Sequence, residues 1–290
     1  MLPTSIMTSK LKKVISLSLK PGFRNYTIKD LQDLKGKRKL TQINVTTPEE
    51  AIAAEEAGID MIIAGPPSPL KKIREAAPHT FFTVGLNWFK YESKERIVKK
   101  ALEMMELGID SMHCGSWNIE FIKYLSNFKI PFQGHVGLVP MKSTWTGGVK
   151  PYGKTSDEAI KIYQDIKELE HIGAWAVEVE CVPDNVLSQL TKKTKLLTIS
   201  IGSGNSGDVQ FLFAEDILGH SVNRTPRHAK IYRNFNEIFD NMQKDRIDAF
   251  KEFKHDVALN VYPSKEHSIV IAETELIQFQ MFLENIKWLV

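Results

Sequence analysis

The most constraining feature of this chain is an alternation of short apolar runs, rich in β-branched residues, with longer segments of helical spacing. Eight runs predict strands: Leu40–Val45, Asp60–Ala64, Thr80–Leu86, Ser111–Cys114, Pro131–His135, Trp175–Glu180, Leu196–Ile201 and Val209–Phe213. Strands that alternate with helices form parallel sheets, because each helix carries the chain back to the start of the next strand. Eight such units predict an α/β fold, a (β/α)8 TIM barrel. An open doubly wound sheet is the main alternative.

Helical spacing and end signals place helices between most of these strands. The predicted segments are 47–57, 94–107, 117–127, 157–172 and 184–192, with two extra C-terminal helices at 236–253 and 271–289. Thr47 can cap the first helix, since Pro48 and Glu50 occupy its first turn. In the phrases Glu-Ala-Gly-Ile-Asp (56–60) and Glu-Leu-Gly-Ile-Asp (106–110), a glycine ends a helix and a buried strand begins within two residues.

The composition excludes several classes of protein. Lys and Arg total 38 against 35 Asp and Glu, and a net charge of +3 is too small an excess for a nucleic-acid-binding protein. No stretch has the apolar length of a membrane span, so we expect a soluble protein without a membrane partner. The two cysteines, Cys114 and Cys181, cannot build a disulfide framework, which favours a reducing, cytoplasmic location.

The ends of the chain differ from its centre. Residues 1–29 contain no acidic residue but several lysines, which predicts a basic arm over residues 1–26. Organelle targeting by residues 1–29 is the alternative. Residues 27–268 are then the barrel domain, and 269–290 a C-terminal helical extension. The apolar side chains of 274–290 could bury against a second copy of the chain or against its own barrel.

Candidate functional residues follow the predicted strands, because the active site of such a barrel lies at the carboxyl ends of its strands. Strand five continues into Gly134-His135-Val136-Gly137-Leu138-Val139-Pro140. Strand six ends in Glu178-Val179-Glu180-Cys181-Val182-Pro183, and strand seven opens into Ile201-Gly202-Ser203-Gly204-Asn205.

These phrases resemble ketopantoate hydroxymethyltransferase, the folate-dependent enzyme family of pantothenate synthesis. The resemblance also rests on Thr27–Leu31, Glu55–Ile62, Gly147-Gly148, Asp216–Gly219 and Tyr262–Ser268. It runs in one consistent order from about residue 27 to residue 268. It therefore implies a barrel of the phosphoenolpyruvate mutase/ketopantoate hydroxymethyltransferase type, and a homo-oligomer.

By resemblance, the chain is an enzyme that joins a one-carbon unit from methylenetetrahydrofolate to the enolate of a small 2-oxo acid. This reaction needs a base beside the carbonyl and an electrophile that holds the enolate charge. Glu180 matches the family's base, and His135 matches its strand-five histidine, which orients substrate or relays a proton. Substrate contacts are expected at Thr46, Thr47, His113, Glu178, Gly202 and Ser203.

The family's magnesium site has lost its ligands in this sequence. The family holds the ion through carboxylates after strands two, three and four, and these positions are Pro66, Gly85 and Gly115 here. His113 stands where the family has a substrate-contacting lysine. Magnesium needs oxygen ligands in near-octahedral order, so we expect magnesium-independent chemistry and no metal at these positions.

Glu178 adds a second carboxylate, at a position where the family is apolar. Residues two apart on a strand project from the same face, so Glu178 and Glu180 are expected side by side. Two neighbouring carboxylates titrate separately, one as an acid and the other as a base. A salt bridge from Glu178 to a lysine is the alternative. A further alternative is a zinc or iron site built from His113, Cys114, His135 and Glu180. If no such site forms, Cys114 is expected to be an inert buried thiol.

Three functions remain open from the sequence. The first is an aldol-type transferase or lyase on a 2-oxo acid, with the enolate charge held by His113, His135 and backbone N–H groups. The second is a C–C or P–C lyase or isomerase of the phosphoenolpyruvate mutase-like barrels. The third is a non-catalytic pseudoenzyme that serves as a binding partner. The retained Glu180-Cys181-Val182-Pro183 phrase favours the first.

Overall fold

The computed structural model describes residues 11–17, 19–86, 93–114, 119–220 and 225–285. Contacts divide the chain into two compact units, Met1–Arg233 and Asn234–Val290. The first unit contains a closed barrel of eight parallel strands, and the second contains two long helices.

The described strands form a hairpin and the barrel. The hairpin pairs β1 (Lys12–Ile15) with β2 (Pro21–Arg24) in antiparallel fashion. The barrel strands are β3 (Leu40–Asn44), β4 (Met61–Ala64), β5 (Phe81–Gly85), β6 (Ser111–His113), β7 (Phe132–Gly137), β8 (Ala176–Glu180), β9 (Leu197–Ile201) and β10 (Val209–Phe213). They pair in sequence order, and β10 closes the barrel by pairing in parallel with β3. The eight predicted strands are confirmed, and the closure excludes the open doubly wound sheet.

Helices connect the strands and cover the barrel. The first unit has α1 (Ile28–Asp33), α2 (Pro48–Glu56), α3 (Leu70–Ala76), α4 (Lys94–Glu106), α5 (Ile119–Asn127), α6 (Ser143–Thr146), α7 (Ser156–His171), α8 (Asp184–Lys193) and α9 (Ala214–Leu218). The five helices predicted between strands are confirmed, although residues 117–118 lie outside the described residues. The short helices α1, α3, α6 and α9 were not predicted. Among the described residues, no helix combines the length and apolar character of a membrane span.

Side chains of the barrel strands alternate between the surrounding helices and the barrel interior. On β7, a side chain added at Gly134 would collide with Leu169 of α7, so Gly134 faces the helices. Its neighbours Gln133 and His135 therefore face the interior. This alternation decides which residues can meet inside the barrel.

The barrel interior changes from apolar to polar along the strands. Leu40 and Phe81 belong to a buried apolar cluster at the amino end of β3 and β5. Two residues further along these strands lie Gln42 and Thr83, which are buried and polar. Their side-chain polar atoms, like those of Gln133 on β7, have no hydrogen-bond partner among the described residues. Buried polar groups usually have partners, so the interior beside these three side chains is suited to polar contents.

A buried arginine anchors the hairpin to the barrel. Arg24 donates to both carboxylate oxygens of Asp110 at 2.8 and 3.0 Å, and to the backbone carbonyls of Gly108 and Pro78 at 2.7 and 3.0 Å. Residues 12–24 lie within the predicted basic arm, for which no strand was predicted. The arm therefore contains an ordered two-stranded element.

The second unit consists of α10 (Phe235–Ala258) and α11 (Glu273–Asn285) with a connection between them. Both extra C-terminal helices were predicted. Helix α10 runs five residues past its predicted end at residue 253. Residues 286–289 of the helix predicted at 271–289 lie outside the described residues. Within the unit, Phe253 packs edge-on against Tyr262 with ring centroids 5.5 Å apart. Several apolar side chains are exposed, including Phe250 and Phe282.

Candidate active site

Two glutamates point into the carboxyl end of the barrel from β8. The valines that alternate with them, Val177 and Val179, are fully buried in the core between strands and helices. Glu178 and Glu180 therefore share the inner face, as their spacing predicts. The Glu178 side chain is 7% exposed and that of Glu180 is 19% exposed, so Glu180 is the more accessible carboxylate.

His135 on β7 contacts both glutamates. The strand register places His135 beside Glu178 on β8. Its Nε2 lies 2.9 Å from Oε2 of Glu180, in a hydrogen bond, and 3.5 Å from Oε1 of Glu178. One imidazole therefore connects the two carboxylates.

His113 on β6 completes a four-residue group, which we call the His–Glu cluster: His113, His135, Glu178 and Glu180. Nε2 of His113 lies 3.1 Å from Oε2 of Glu178. The two groups lack the alignment of a hydrogen bond, and this buried nitrogen has no hydrogen-bond partner among the described residues. The rings of His113 and His135 lie 5.3 Å apart and are tilted by 44°. Side chains from three consecutive strands thus converge at one point.

The charges in the cluster stabilise one another. Burial lowers the pKa of His135, but the negative charges of Glu178 and Glu180 outweigh it, so that this pKa is raised. Burial raises the pKa of Glu178, but the charges of His135 and His113 outweigh it, so that this pKa is lowered. An ionised Glu178 and a protonated His135 can therefore coexist in the interior. Among the described residues, the charged partners of Glu178 are histidines, and no lysine pairs with it.

Ser203 fixes the end of the strand that carries the glutamates. It is buried in the turn after β9, where its hydroxyl donates to the carbonyl of Val179 and accepts from the N–H of Val182, both at 2.8 Å. These two backbone groups flank Glu180. A serine hydroxyl has one proton to donate, and here the protein backbone receives it. The hydroxyl of Ser203 therefore positions the strand end, and substrate contact by Ser203 stays a prediction.

Gly202 lies against the residue that follows Glu180. Its φ is +64°, and a Cβ at this position would lie 2.9 Å from Sγ of Cys181 and 2.9 Å from Nδ1 of His228. The position therefore has no room for a side chain. Its backbone lies at the barrel mouth, where substrate contact by Gly202 stays a prediction.

Thr46 and Thr47 are used in capping α2. Oγ1 of Thr47 accepts from the N–H of Glu50 at 3.2 Å. The Glu50 carboxylate in turn accepts from the N–H and the hydroxyl of Thr46, at 2.6 and 3.1 Å. The cap that the sequence predicts is confirmed. Among the described residues, no hydrogen bond connects either threonine to the His–Glu cluster.

A segment beyond the last barrel helix, which was not predicted as part of the site, also reaches the mouth. His228 lies beside Gly202, as described above, and Arg227 precedes it. Burial and the negative charge of Glu180 raise the pKa of Cys181, and the positive charge of Arg227 opposes this shift. Arg227 is therefore close enough to act electrostatically at the mouth. Its only sequence signal is a pair of basic residues that follows the last barrel helix, far from any strand-end motif.

The residues at the family's magnesium positions do not fit that ion. Pro66 and Gly85 carry no side-chain oxygen. Gly115 lies outside the described residues. Magnesium requires oxygen ligands, chiefly carboxylates and waters. No step through magnesium is therefore assigned to this chain.

A different set of donor atoms is present in the His–Glu cluster. One ring nitrogen from each of His113 and His135 and one carboxylate oxygen of Glu178 lie within 4.8 Å of one another. The alternative set considered from the sequence included Cys114, which is instead fully buried in the outer core, where burial raises its pKa well above the usual value. Cys114 is therefore an inert thiol, and Glu178 joins the two histidines in its place.

Comparisons with known proteins complete the description of the site. Residues 68–265 match the family described as ketopantoate hydroxymethyltransferase. The chain is 30% identical over 263 residues to 3-methyl-2-oxobutanoate hydroxymethyltransferase from Kosmotoga olearia, which covers 83% of this chain and 96% of that protein. The enzyme of the same name from Thermotoga maritima is 28% identical over 264 residues, 83% of this chain and 95% of that protein. The one from Buchnera aphidicola is 32% identical over 200 residues, 68% of this chain and 73% of that protein.

Proposed function

The chain belongs to the ketopantoate hydroxymethyltransferase family, and from this membership we propose that it forms or cleaves a C–C bond in a small 2-oxo acid. The relatives are named for hydroxymethyl transfer to 3-methyl-2-oxobutanoate. We take this acid as the substrate and methylenetetrahydrofolate as the one-carbon donor. The chemistry is altered relative to the family, because the magnesium positions hold no ligand side chains.

The observation that carries this proposal is the hydrogen bond between Glu180 and His135. A general base must be held within hydrogen-bond reach of the proton that it removes. Glu180 keeps its carboxylate at the carboxyl end of the barrel, partly exposed, and His135 fixes its direction at 2.9 Å. This is the place where barrel enzymes of this type bind substrate.

In the proposed reaction Glu180 takes the proton from C3 of the oxo acid. The electron pair of that C–H bond becomes the enolate, and the imidazoles of His113 and His135 hold the charge on the enolate oxygen. Water adds to the methylene carbon of the donor and its C–N bond breaks, with the electron pair and a proton staying on the nitrogen of tetrahydrofolate, so that the one-carbon unit is formaldehyde. The enolate carbon then forms the new C–C bond to the formaldehyde carbon, and the resulting alkoxide takes up the proton held by Glu180. In the cleavage direction the same steps run in reverse.

Arg227 supports a substrate that carries a carboxylate. Its exposed side chain places a positive charge at the mouth near Cys181, which directly follows the base Glu180. Guanidinium groups bind carboxylates through two parallel hydrogen bonds. We therefore assign Arg227 to the carboxylate of the oxo acid, and an Arg227→Gln variant is expected to raise KM more than it lowers kcat.

Proton exchange at C3 tests the assignment of the base. The protein is incubated with 3-methyl-2-oxobutanoate in D2O without a one-carbon donor, and the loss of the C3 proton signal is followed by NMR. The wild-type protein is expected to exchange this proton, and Glu180→Gln is expected to lose the exchange. His79→Gln alters a half-buried histidine whose ring nitrogen lies 3.3 Å from the carbonyl oxygen of Phe23, outside the His–Glu cluster, and serves as the control. The absence of exchange by the wild type with any small 2-oxo acid, with or without added metal, contradicts the proposal.

A non-catalytic role is the second candidate, and the loss of ligand side chains at Pro66 and Gly85 favours it. It predicts that the protein binds 3-methyl-2-oxobutanoate in a calorimetric titration without exchanging its proton. Glu180→Gln would then leave cellular function intact, whereas the enzyme proposal requires a severe defect.

The proposal includes a catalytic domain at residues 27–268, a cytoplasmic location and a homo-oligomer. The homo-oligomer is supported by exposed apolar side chains on α11, including Phe279 and Phe282. Light scattering on the purified chain tests it, and a monomer at micromolar concentration contradicts it.

A further inference from the structure

We propose that His113, His135 and Glu178 bind one divalent transition-metal ion of the zinc class, at a place in the barrel distinct from the family's magnesium positions. The ligands come from β6, β7 and β8, so the site is assembled from three consecutive strands. The proposal concerns binding and does not require the reaction proposed above.

The distances between the ligand atoms fit such an ion. Zinc–nitrogen and zinc–oxygen bonds are about 2.0–2.2 Å long, so two ligands of a tetrahedral ion lie about 3.3 Å apart. In the His–Glu cluster, Nε2 of His113 lies 3.1 Å and Nε2 of His135 lies 3.5 Å from the Glu178 carboxylate. The two imidazole nitrogens lie within 4.8 Å of each other, so side-chain adjustment can bring all three atoms around one ion.

A second observation is the poorly satisfied nitrogen of His113. Its buried Nε2 lies 3.1 Å from the Glu178 carboxylate, but the two groups lack the alignment of a hydrogen bond. Buried polar atoms without partners are uncommon in folded proteins. A bound ion gives this nitrogen the partner that it lacks.

The ligand chemistry selects the class of ion. Two imidazoles and one carboxylate form the ligand set of many zinc enzymes and of iron(II) oxygenases, whereas magnesium and calcium prefer oxygen ligands. The set leaves at least one coordination position for water or substrate. Gln133 lies beside His113 in the β6–β7 pairing, and its buried amide has no partner, so it can bind a water on the ion.

The ion and Glu180 compete for one nitrogen. Nε2 of His135 makes the hydrogen bond to Glu180. The same nitrogen lies 3.5 Å from the Glu178 carboxylate and is the atom that we propose binds the ion. When the ion binds, the proton on Nε2 leaves and the hydrogen bond to Glu180 is lost. Metal binding therefore frees the Glu180 carboxylate from His135, while Glu180 itself stays at the barrel mouth.

Zinc binding by the full chain tests the proposal. The protein is stripped with a chelator, dialysed against zinc and analysed for bound metal, and its affinity is measured by competition with a coloured chelator. We expect one zinc per chain in the wild type and a roughly 100-fold or greater loss of affinity in His113→Ala, His135→Ala and Glu178→Gln, since even partners of metal ligands contribute 10–100-fold. Glu180→Gln and His255→Gln, an exposed histidine on α10, should still bind one zinc.

X-ray absorption on the zinc-loaded wild type checks the ligands without any variant. Two imidazoles and no sulfur neighbour at about 2.3 Å are expected. The proposal is overturned if the wild type binds no zinc, if only one of the three ligand variants loses it, or if sulfur appears in the spectrum. Because no substrate is present in these measurements, their failure is distinct from a failure of C3 proton exchange.

Discussion

Glu180 and His135 are held together across neighbouring barrel strands by both side chain and backbone. The side chains share a hydrogen bond of 2.9 Å, and three residues past His135 the N–H of Leu138 donates to the carbonyl of Glu180 at 2.8 Å. The Glu180 carboxylate is thus oriented before any substrate arrives, which is the condition for efficient proton transfer.

Removal of the carboxylate should cost more than removal of its orienting partner. Glu180→Gln leaves no base and is expected to slow C3 exchange about 10²–10⁴-fold, the usual contribution of a general base. His135→Asn keeps the base but loses its orienting partner and one of the two imidazoles that hold the enolate charge. His113 remains, so we expect a smaller effect, mainly on kcat. Initial rates by NMR, with circular dichroism as a check on folding, measure both. An unchanged rate in Glu180→Gln would exclude this carboxylate as the base.

A glycine on β7 should be essential for the approach of the two strands. Gly137 has a φ of +88°, and a Cβ there would collide with the carbonyl oxygen of Glu180 and with Val182. Gly36 has a similar φ of +69° with nothing within 4 Å of its Cβ position, so it is a matched control. We expect Gly36→Ala to lower the free energy of unfolding by about 1–2 kcal/mol and Gly137→Ala by about 1–3 kcal/mol more. Urea denaturation measures the free energy of unfolding of both variants. Equal losses of stability in Gly36→Ala and Gly137→Ala would contradict the prediction, because they would show that the structure around residue 137 accommodates the added Cβ.

The barrel could be predicted because its signals are local. Each strand is a short apolar run, and helix ends such as Thr47 carry capping residues next to them. The hairpin β1–β2 could not be predicted, because Arg24 holds it through Asp110, which is 86 residues away. The short helices α1 and α3 contain too few turns for a periodic pattern to be recognised.

The site was predictable only in part. The spacing of Glu178 and Glu180 places them on one face, but the contact between His113 and Glu178 joins β6 to β8, which are not paired strands. Such a contact depends on the curvature of the closed barrel. The role of Ser203 depends on which backbone groups its hydroxyl meets, and a sequence does not show this.

The N-terminal hairpin should loosen when its anchor is removed. The Arg24 side chain is 9% exposed, and Arg24→Ala leaves Asp110 with only Arg74 as a charged partner among the described residues. Breaking a buried ion pair of this kind costs about 3–5 kcal/mol. Hydrogen exchange over residues 12–24 should rise together with the loss of stability. Lys12→Ala, which alters a lysine at the exposed end of the same hairpin, should change stability by less than about 1 kcal/mol; a comparable loss there would contradict the assignment of Arg24 as the anchor.

Glu170 at the end of α7 should make the protein less stable in acid. Burial raises the pKa of this carboxyl, but hydrogen bonds from Lys167, Thr194 and the N–H of Lys195 outweigh it, so the pKa falls from 4.5 to about 2. Because the folded state binds this proton more weakly, its stabilisation is complete above about pH 4.5 and is lost as the pH falls toward 2. Glu170→Gln is expected to cost about 2–3 kcal/mol at pH 7 and little at pH 2. Urea titrations between pH 2 and 7 measure this, with Glu168→Gln, an exposed change on the same helix, as the control. A difference between wild type and Glu170→Gln that does not vary with pH would show that the carboxylate charge plays no part.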